Sequence, residues 1–112
     1  MTTSLNYAIK YVSDMDMAVA FYSKQLGLRL RYQSPDWSEF ETGATTLALH
    51  SASEEHPAGS CQLGFVVPDI DNFYSKRMND GVVFTTPPTS MHGQKIARFM
   101  DEDGAECSVS GP

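Results

Sequence analysis

Residues 5–28, LNYAIKYVSDMDMAVAFYSKQLGL, read as one complete strand–helix unit, and the chain then repeats it. Residues 6–12 are rich in β-branched and aromatic side chains, as strands are. Asp14 stands where an N-cap oxygen takes up a free backbone N–H, and Asp16 puts a negative charge in the first turn. Met15, Ala18, Val19, Tyr22 and Leu26 fall at helical spacing and predict one apolar stripe laid on a sheet. Gly27 supplies a left-handed stop. The second copy is residues 61–82, CQLGFVVPDIDNFYSKRMNDGV: Val67, Asp69 and Asp71 follow Val12, Asp14 and Asp16 by 55 residues. Ile70, Phe73, Tyr74 and Met78 form its stripe and Asp80-Gly81 its stop. A half-chain period built on a strand and a helix means two modules of one design.

The segments after each helix complete the modules. Residues 28–33 read as a second strand, interrupted by Ser34-Pro35-Asp36, and residues 37–41 as a third. Thr42-Gly43-Ala44 makes a tight turn, and residues 45–50 return as the fourth. The polar stretch 51–60, SASEEHPAGS, reads as a linker. In the second half, strands are expected at 61–67, where Pro68 forces the end, and at 82–86. The stretch 87–94, PPTSMHGQ, reads as a long loop of the kind that is often functional. A hairpin over 95–100 and 105–110 crosses DEDG. The pattern is strand–helix–three strands, twice: an α+β domain over 1–112, with module one at about 1–52 and module two at about 60–112. Each helix covers one face of its sheet, and the other face is where a ligand is expected.

Composition narrows the function classes. With 41% apolar and 20% charged residues, the chain fits a globular protein rather than a disordered one. Its formal net charge of −6 argues against nucleic acid and against an anionic membrane surface, both of which draw on Lys and Arg. No run approaches the ~18 apolar residues of a membrane span. The first ten residues show no basic segment followed by an apolar one, so a cytoplasmic location is expected. Cys61 and Cys107 lack Cys-x-x-Cys spacing and are expected to be buried small hydrophobes, with a disulfide as the lesser alternative.

Val-x-Asp at 12–14, Phe-Tyr at 21–22, Leu-Gly-Leu at 26–28, Trp-x-x-Phe at 37–40, Thr-Gly at 42–43 before Leu-x-Leu at 47–49, Val-Pro-Asp-Ile-Asp at 67–71 and Phe-x-Asp-x-Asp-Gly at 99–104 form a recognisable series. With it, nearly the whole chain resembles the vicinal oxygen chelate superfamily of glyoxalase I, bleomycin- and fosfomycin-resistance proteins and extradiol dioxygenases. The resemblance implies two βαβββ modules curling into an open, incompletely closed barrel, with helices on the convex side and the ligand on the concave side. In metal-dependent members, ligands come from the first and last strands of each module. Carried over, those positions fall on Tyr7, Ala48, Gln62 and Ser108, of which only Gln62 carries a plausible donor. A metal is therefore not expected, nor another cofactor. A displaced site would have to draw on His50, Glu106 and His92.

Without the metal, the face expected to hold a ligand offers Tyr7, Ile9, Trp37, Ala48, His50, Gln62, His92, Phe99 and Ser108, with Tyr11 and Met91 beside them. This is an aromatic and apolar set with a few hydrogen-bonding groups, as small-molecule pockets have. Arg98, the cation of the last hairpin, is expected to pair with Asp101, Asp103 or Glu106. There is no Gly-rich phosphate loop and no nucleophile motif. The expectation is a small-molecule-binding protein, of a drug or antibiotic among other ligands, acting as a homodimer without a metal. The alternative is a lyase, isomerase or dioxygenase-like enzyme using a displaced metal or an acid–base residue.

Overall fold

The computed structural model describes residues 2–112. Its elements are β1 (Ser4–Val12), α1 (Met15–Ala20) running into a π-helical turn (Phe21–Gln25), β2 (Arg29–Tyr32), β3 (Trp37–Glu41) and β4 (Thr46–Ser51), then β5 (Cys61–Val66), α2 (Ile70–Asn79), β6 (Val83–Met91), β7 (Gln94–Met100) and β8 (Glu106–Gly111). The fold is α+β, with strand–helix–three strands in each half. The chain divides into two compact units, one of residues Tyr7–Cys61, the other of Gln62–Pro112 with the residues up to Asn6.

The first unit orders its strands β2-β3-β4-β1. β1 and β4 run parallel with Ile9 opposite Ala48 and Tyr11 opposite His50, while β3 and β4 run antiparallel with Trp37 opposite His50. Because successive side chains alternate across a strand, this register sorts the residues onto two faces. Val12, Phe40 and Leu49 meet Val19 of α1, with Met15, Ala18 and Tyr22 packed alongside. Burying each large side chain there contributes about 1.5–3 kcal/mol. Ile9, Tyr11 and Ala48 gather on the other face with Tyr7 and Trp37.

The second unit repeats the order as β5-β8-β7-β6. β5 and β8 pair in parallel, β7 antiparallel with both β8 and β6. Val67, Ile70, Ala97 and Val109 form its core under α2, with Phe65, Phe73, Phe84 and Phe99 against them. Both helices are capped as their sequences demand: Asp14 Oδ1 accepts from the Met17 N–H at 3.0 Å, and Asp69 Oδ1 from the Asn72 N–H at 3.1 Å. Such a cap is worth about 1 kcal/mol.

Three local expectations are corrected. The first helix is not α-helical to Leu26: from Phe21 it widens, and the Leu26 N–H reaches the Phe21 carbonyl. Ser23 accounts for the change. Its hydroxyl donates to the Val19 carbonyl at 2.6 Å, and such bonding bends helices. Module two has Met78 at the corresponding place and stays α-helical. Next, residues 87–94 are not a long loop. β6 continues to Met91 and turns at His92 and Gly93, whose φ values of 49° and 84° are both positive, as a two-residue hairpin turn of the primed type needs. Pro87 and Pro88 are accommodated because β6 is the edge strand, with register shifts against β7. Finally, Cys61 is exposed, although Cys107 is buried as expected.

Candidate functional site

On the face of the first unit turned away from α1, alternation along β1, β3 and β4 brings five of the residues singled out in the sequence together: Tyr7, Ile9, Trp37, Ala48 and His50. Ala48 is wholly buried and Ile9 nearly so, while Tyr7, Trp37 and His50 are half-buried. The rings pack edge to face. Trp37 lies 6.0 Å from Tyr7 and 5.9 Å from His50, at interplanar angles of 64° and 85°. Tyr11 leans against His50 at 5.3 Å and stacks on His56 at 4.4 Å.

Hydrogen bonds fix this wall. The Trp37 indole N–H donates to Glu39 Oε2 at 2.8 Å, and Arg31 Nη2 donates to Glu39 Oε1 at 2.9 Å and to the Thr46 hydroxyl at 2.6 Å. Charge-assisted bonds of this kind hold a ring in one orientation. The His50 Nδ1 sits 2.8 Å from the Ser51 carbonyl oxygen. A carbonyl only accepts, so Nδ1 carries the proton, and in the neutral ring the lone pair is on Nε2. His50 therefore presents a hydrogen-bond acceptor and base on the side away from the backbone.

Sequence reading missed Glu39, Arg31 and His56. Glu39 was legible in principle, since it stands two residues after Trp37 on one strand and so shares its face. His56 lies in the stretch expected to be a linker. That stretch folds back on β1, with the Tyr11 N–H bonded to Ser60 O and the Gly59 N–H to Tyr11 O, both at 2.9 Å.

The other expected residues lie in the second unit. Gln62 is buried and donates through Nε2 to Glu106 Oε1 at 2.9 Å; Thr85 donates to Glu106 Oε2 at 3.3 Å, and Arg98 Nε stands 3.9 Å from Glu106. Arg98 thus meets Glu106 among the partners foreseen for it. Ser108 is half-buried on β8, opposite Gly64. Phe99 is on the helix side instead: it packs 5.7 Å from Phe84 and 6.3 Å from Phe73, because β7 alternation places it with Ala97. His92 is exposed in the β6–β7 turn.

These residues do not suit the metal that the family implies. Of Tyr7, Ala48, Gln62 and Ser108, only Gln62 offers an amide oxygen, and one such oxygen leaves a divalent charge nearly uncompensated. Among the described residues, no three His, Cys, Asp or Glu side chains form a metal-binding group. Nor is any helix among them long and apolar enough to cross a membrane, a statement that does not extend to β-barrels.

Comparison with known proteins agrees with the fold. Residues 4–109 match the family profile described as the Glyoxalase/Bleomycin resistance protein/Dioxygenase superfamily. Uncharacterized protein YurT of Bacillus subtilis (strain 168) is 33% identical over 111 residues, covering 84% of this chain and 87% of YurT. Hypothetical protein BH1468 from Bacillus halodurans C-125 superposes with a TM-score of 0.83 at 17% identity, over 100% of this chain and 96% of that one. A Streptomyces coelicolor methylmalonyl-CoA epimerase variant in complex with 2-nitronate-propionyl-CoA gives 0.79 at 17% identity, over 99% and 95%. At such identities, the two structural likenesses show the fold alone.

Proposed function

Since the chain belongs to the Glyoxalase/Bleomycin resistance protein/Dioxygenase superfamily, we propose that it is a metal-independent small-molecule-binding protein. Its ligand is an aromatic or amphipathic molecule, of which an antibiotic is one kind, held on the wall of Tyr7, Ile9, Trp37, Ala48 and His50. One observation carries this reading. At the two module-one positions where the resemblance puts metal ligands, the sheet bears an aromatic ring and a buried methyl group, and the rings around them form a hydrogen-bonded wall. Flat aromatic surface with a few polar edges suits ligand stacking.

Trp37 is the only tryptophan in the chain, so its fluorescence reports on this wall without a label. Bleomycin and methylmalonyl-CoA, added separately, test two ligand chemistries: saturable quenching that weakens in Tyr7→Ala supports the reading. Calorimetry with Ni, Zn, Mn and Fe supplies the opposing result, because stoichiometric micromolar binding of any of them overturns the metal-independent assignment.

A second reading, an enzyme using acid–base chemistry, is favoured by the Nε2 lone pair of His50. It predicts exchange of the acidic α-hydrogen of methylmalonyl-CoA into deuterated water, lost in His50→Ala. No exchange above the buffer rate removes that substrate. Homodimerisation and a cytoplasmic location complete the proposal; a monomer by light scattering at micromolar concentration removes the former.

A further inference from the structure

A groove lies on the opposite, helix-facing side of the same unit. Open to solvent, it offers about 280 Å³ between the end of β1, α1, the π-helical turn and the Ala58-Gly59 bend, with Lys10, Asp14, Met17, Ala18, Phe21 and Tyr22 on its walls. The internal repeat provides a control for what this place contains when it serves only to pack. Shifted by 55 residues, the same place in module two is bounded by Val67, Asp69, Asn72, Phe73, Lys76 and Arg77 and encloses about 90 Å³.

Thr2 and Thr3 also bound the module-two pocket, as Ala58 and Gly59 bound this one, and substitutions between the copies add to the difference. Phe73, packed against the core of its unit, corresponds to Ala18, so module one lacks a ring at that point. Asn72 and Lys76, a polar rim, correspond to Met17 and Phe21, which are 71% and 45% exposed. Phe65, another core ring, corresponds to Lys10. That lysine is half-buried with its ammonium 5.7 Å from the centre of the Tyr22 ring, and among the described residues it forms no ion pair. The wall's other charge, Asp14, is turned to the Met17 N–H as the helix cap.

A groove with Lys10 in its wall and the exposed side chains of Met17 and Phe21 at its rim, where the sister module is narrower and carries Asn72 and Lys76, is complementary to an anion on an apolar body. We propose that this groove binds a small amphipathic carboxylate, its aromatic or short aliphatic body against Met17, Ala18 and Phe21 and its carboxylate on Lys10 Nζ. The size admits a body of one ring, since pockets for drug-sized ligands start at about 300 Å³. The site lies on the other side of the sheet from the Trp37 wall, with Tyr11 common to the edges of both, and does not rest on the proposed function.

Amide NMR titration of the whole protein with phenylacetate tests it, with phenethylamine as the probe of opposite charge. Saturable shifts are expected at Lys10, Met17, Ala18, Phe21 and Gly59 with phenylacetate and not with phenethylamine, leaving Trp37 fluorescence unchanged. Lys10→Gln should weaken binding about tenfold or more, the scale of a lost charged hydrogen bond. Ala18→Phe should abolish binding by filling the groove as Phe73 does. If Ala18→Phe fails to fold, Lys10→Gln still decides. Equal binding of both probes, unchanged affinity in Lys10→Gln, shifts centred on Trp37 and His50, or a second copy of the chain seated on Met17 and Phe21 would each overturn the proposal.

Discussion

The hydrogen bond from His50 Nδ1 to the Ser51 carbonyl makes a prediction in which two near-isosteric substitutions separate. Asparagine places its amide N–H near the position of Nδ1, whereas glutamine carries its amide out towards Nε2. Both lose the ring contacts to Trp37 and Tyr11, worth about 0.5–1.5 kcal/mol per pair. Their difference therefore isolates the 2.8 Å bond. For a half-buried neutral bond the net worth is about 1 kcal/mol. His50→Gln should thus be less stable than His50→Asn by about 1 kcal/mol in urea unfolding followed by circular dichroism. The corresponding shift in melting temperature is about 4 °C for a chain of this size. The same energy should shift the tautomer ratio of the neutral ring about fivefold towards Nδ1–H relative to free histidine, which nitrogen NMR of ¹⁵N-histidine-labelled protein reads directly. Glutamine at least as stable as asparagine, or a tautomer ratio no different from that of free histidine, would refute the assignment of the Nδ1–H bond to the Ser51 carbonyl.

Other outcomes follow from packing and titration. Gly111→Ala should cost about 1–3 kcal/mol, because the added Cβ would collide with the backbone carbonyl of Val67 where β8 passes the end of β5; unchanged urea unfolding would contradict that close approach. His92→Asn should stabilise the β6–β7 turn by about 0.5 kcal/mol, since asparagine accepts the positive φ of 49° more readily than histidine does, and a lower melting temperature would count against the turn geometry. Burial, then the charges of Asp101, Glu102 and Glu106, push the Cys107 thiol above its ordinary value of 9.0. The folded chain then keeps a proton that the unfolded chain has lost, so this contribution is intact below pH 9.0 and declines as pH rises from there through the raised value. Unfolding free energies at pH 8 and pH 10 should fall less in Cys107→Ala than in the parent, and equal declines would remove the effect.

The fold was legible because its signals are local and doubled. Asp14 and Asp69 cap, Gly27 and Gly81 stop, and Val12 and Val67 set the same register in both copies, so an error in one reading is checked by the other. The faces were legible wherever strand alternation ran unbroken, which is why Tyr7, Ile9, Ala48 and His50 were grouped correctly. Phe99 was misplaced because the face of β7 is set by its pairing with β8, a contact between strands that spacing along one strand does not encode. Pro87-Pro88 concealed the length of β6, since a proline pair signals a loop unless the strand is known to lie at an edge. Glu39 and Arg31 went unread for a different reason: their role is to hold Trp37, and only distances disclose it.

Repetition also separates what the fold requires from what one copy has given up. Caps and stops recur; Lys10 for Phe65 and Ala18 for Phe73 do not, and both changes fall on the seam between helix and sheet of module one. In module two the rings of Phe65 and Phe73 join the packed core. Module one leaves about 280 Å³ and puts a cation in the seam instead. Restoring both rings should therefore stabilise the chain, by about 1.5–3 kcal/mol for each aromatic side chain that becomes fully buried, less whatever strain their packing introduces. The variant carrying Lys10→Phe and Ala18→Phe is expected to unfold at higher urea concentration while losing the groove's affinity for phenylacetate. That pairing of gained stability with lost binding is what a site built at the fold's expense produces. Loss of stability in the double variant, with the rest of the amide spectrum intact, would mean that the seam is already packed to its limit and that the cavity is a by-product of backbone geometry.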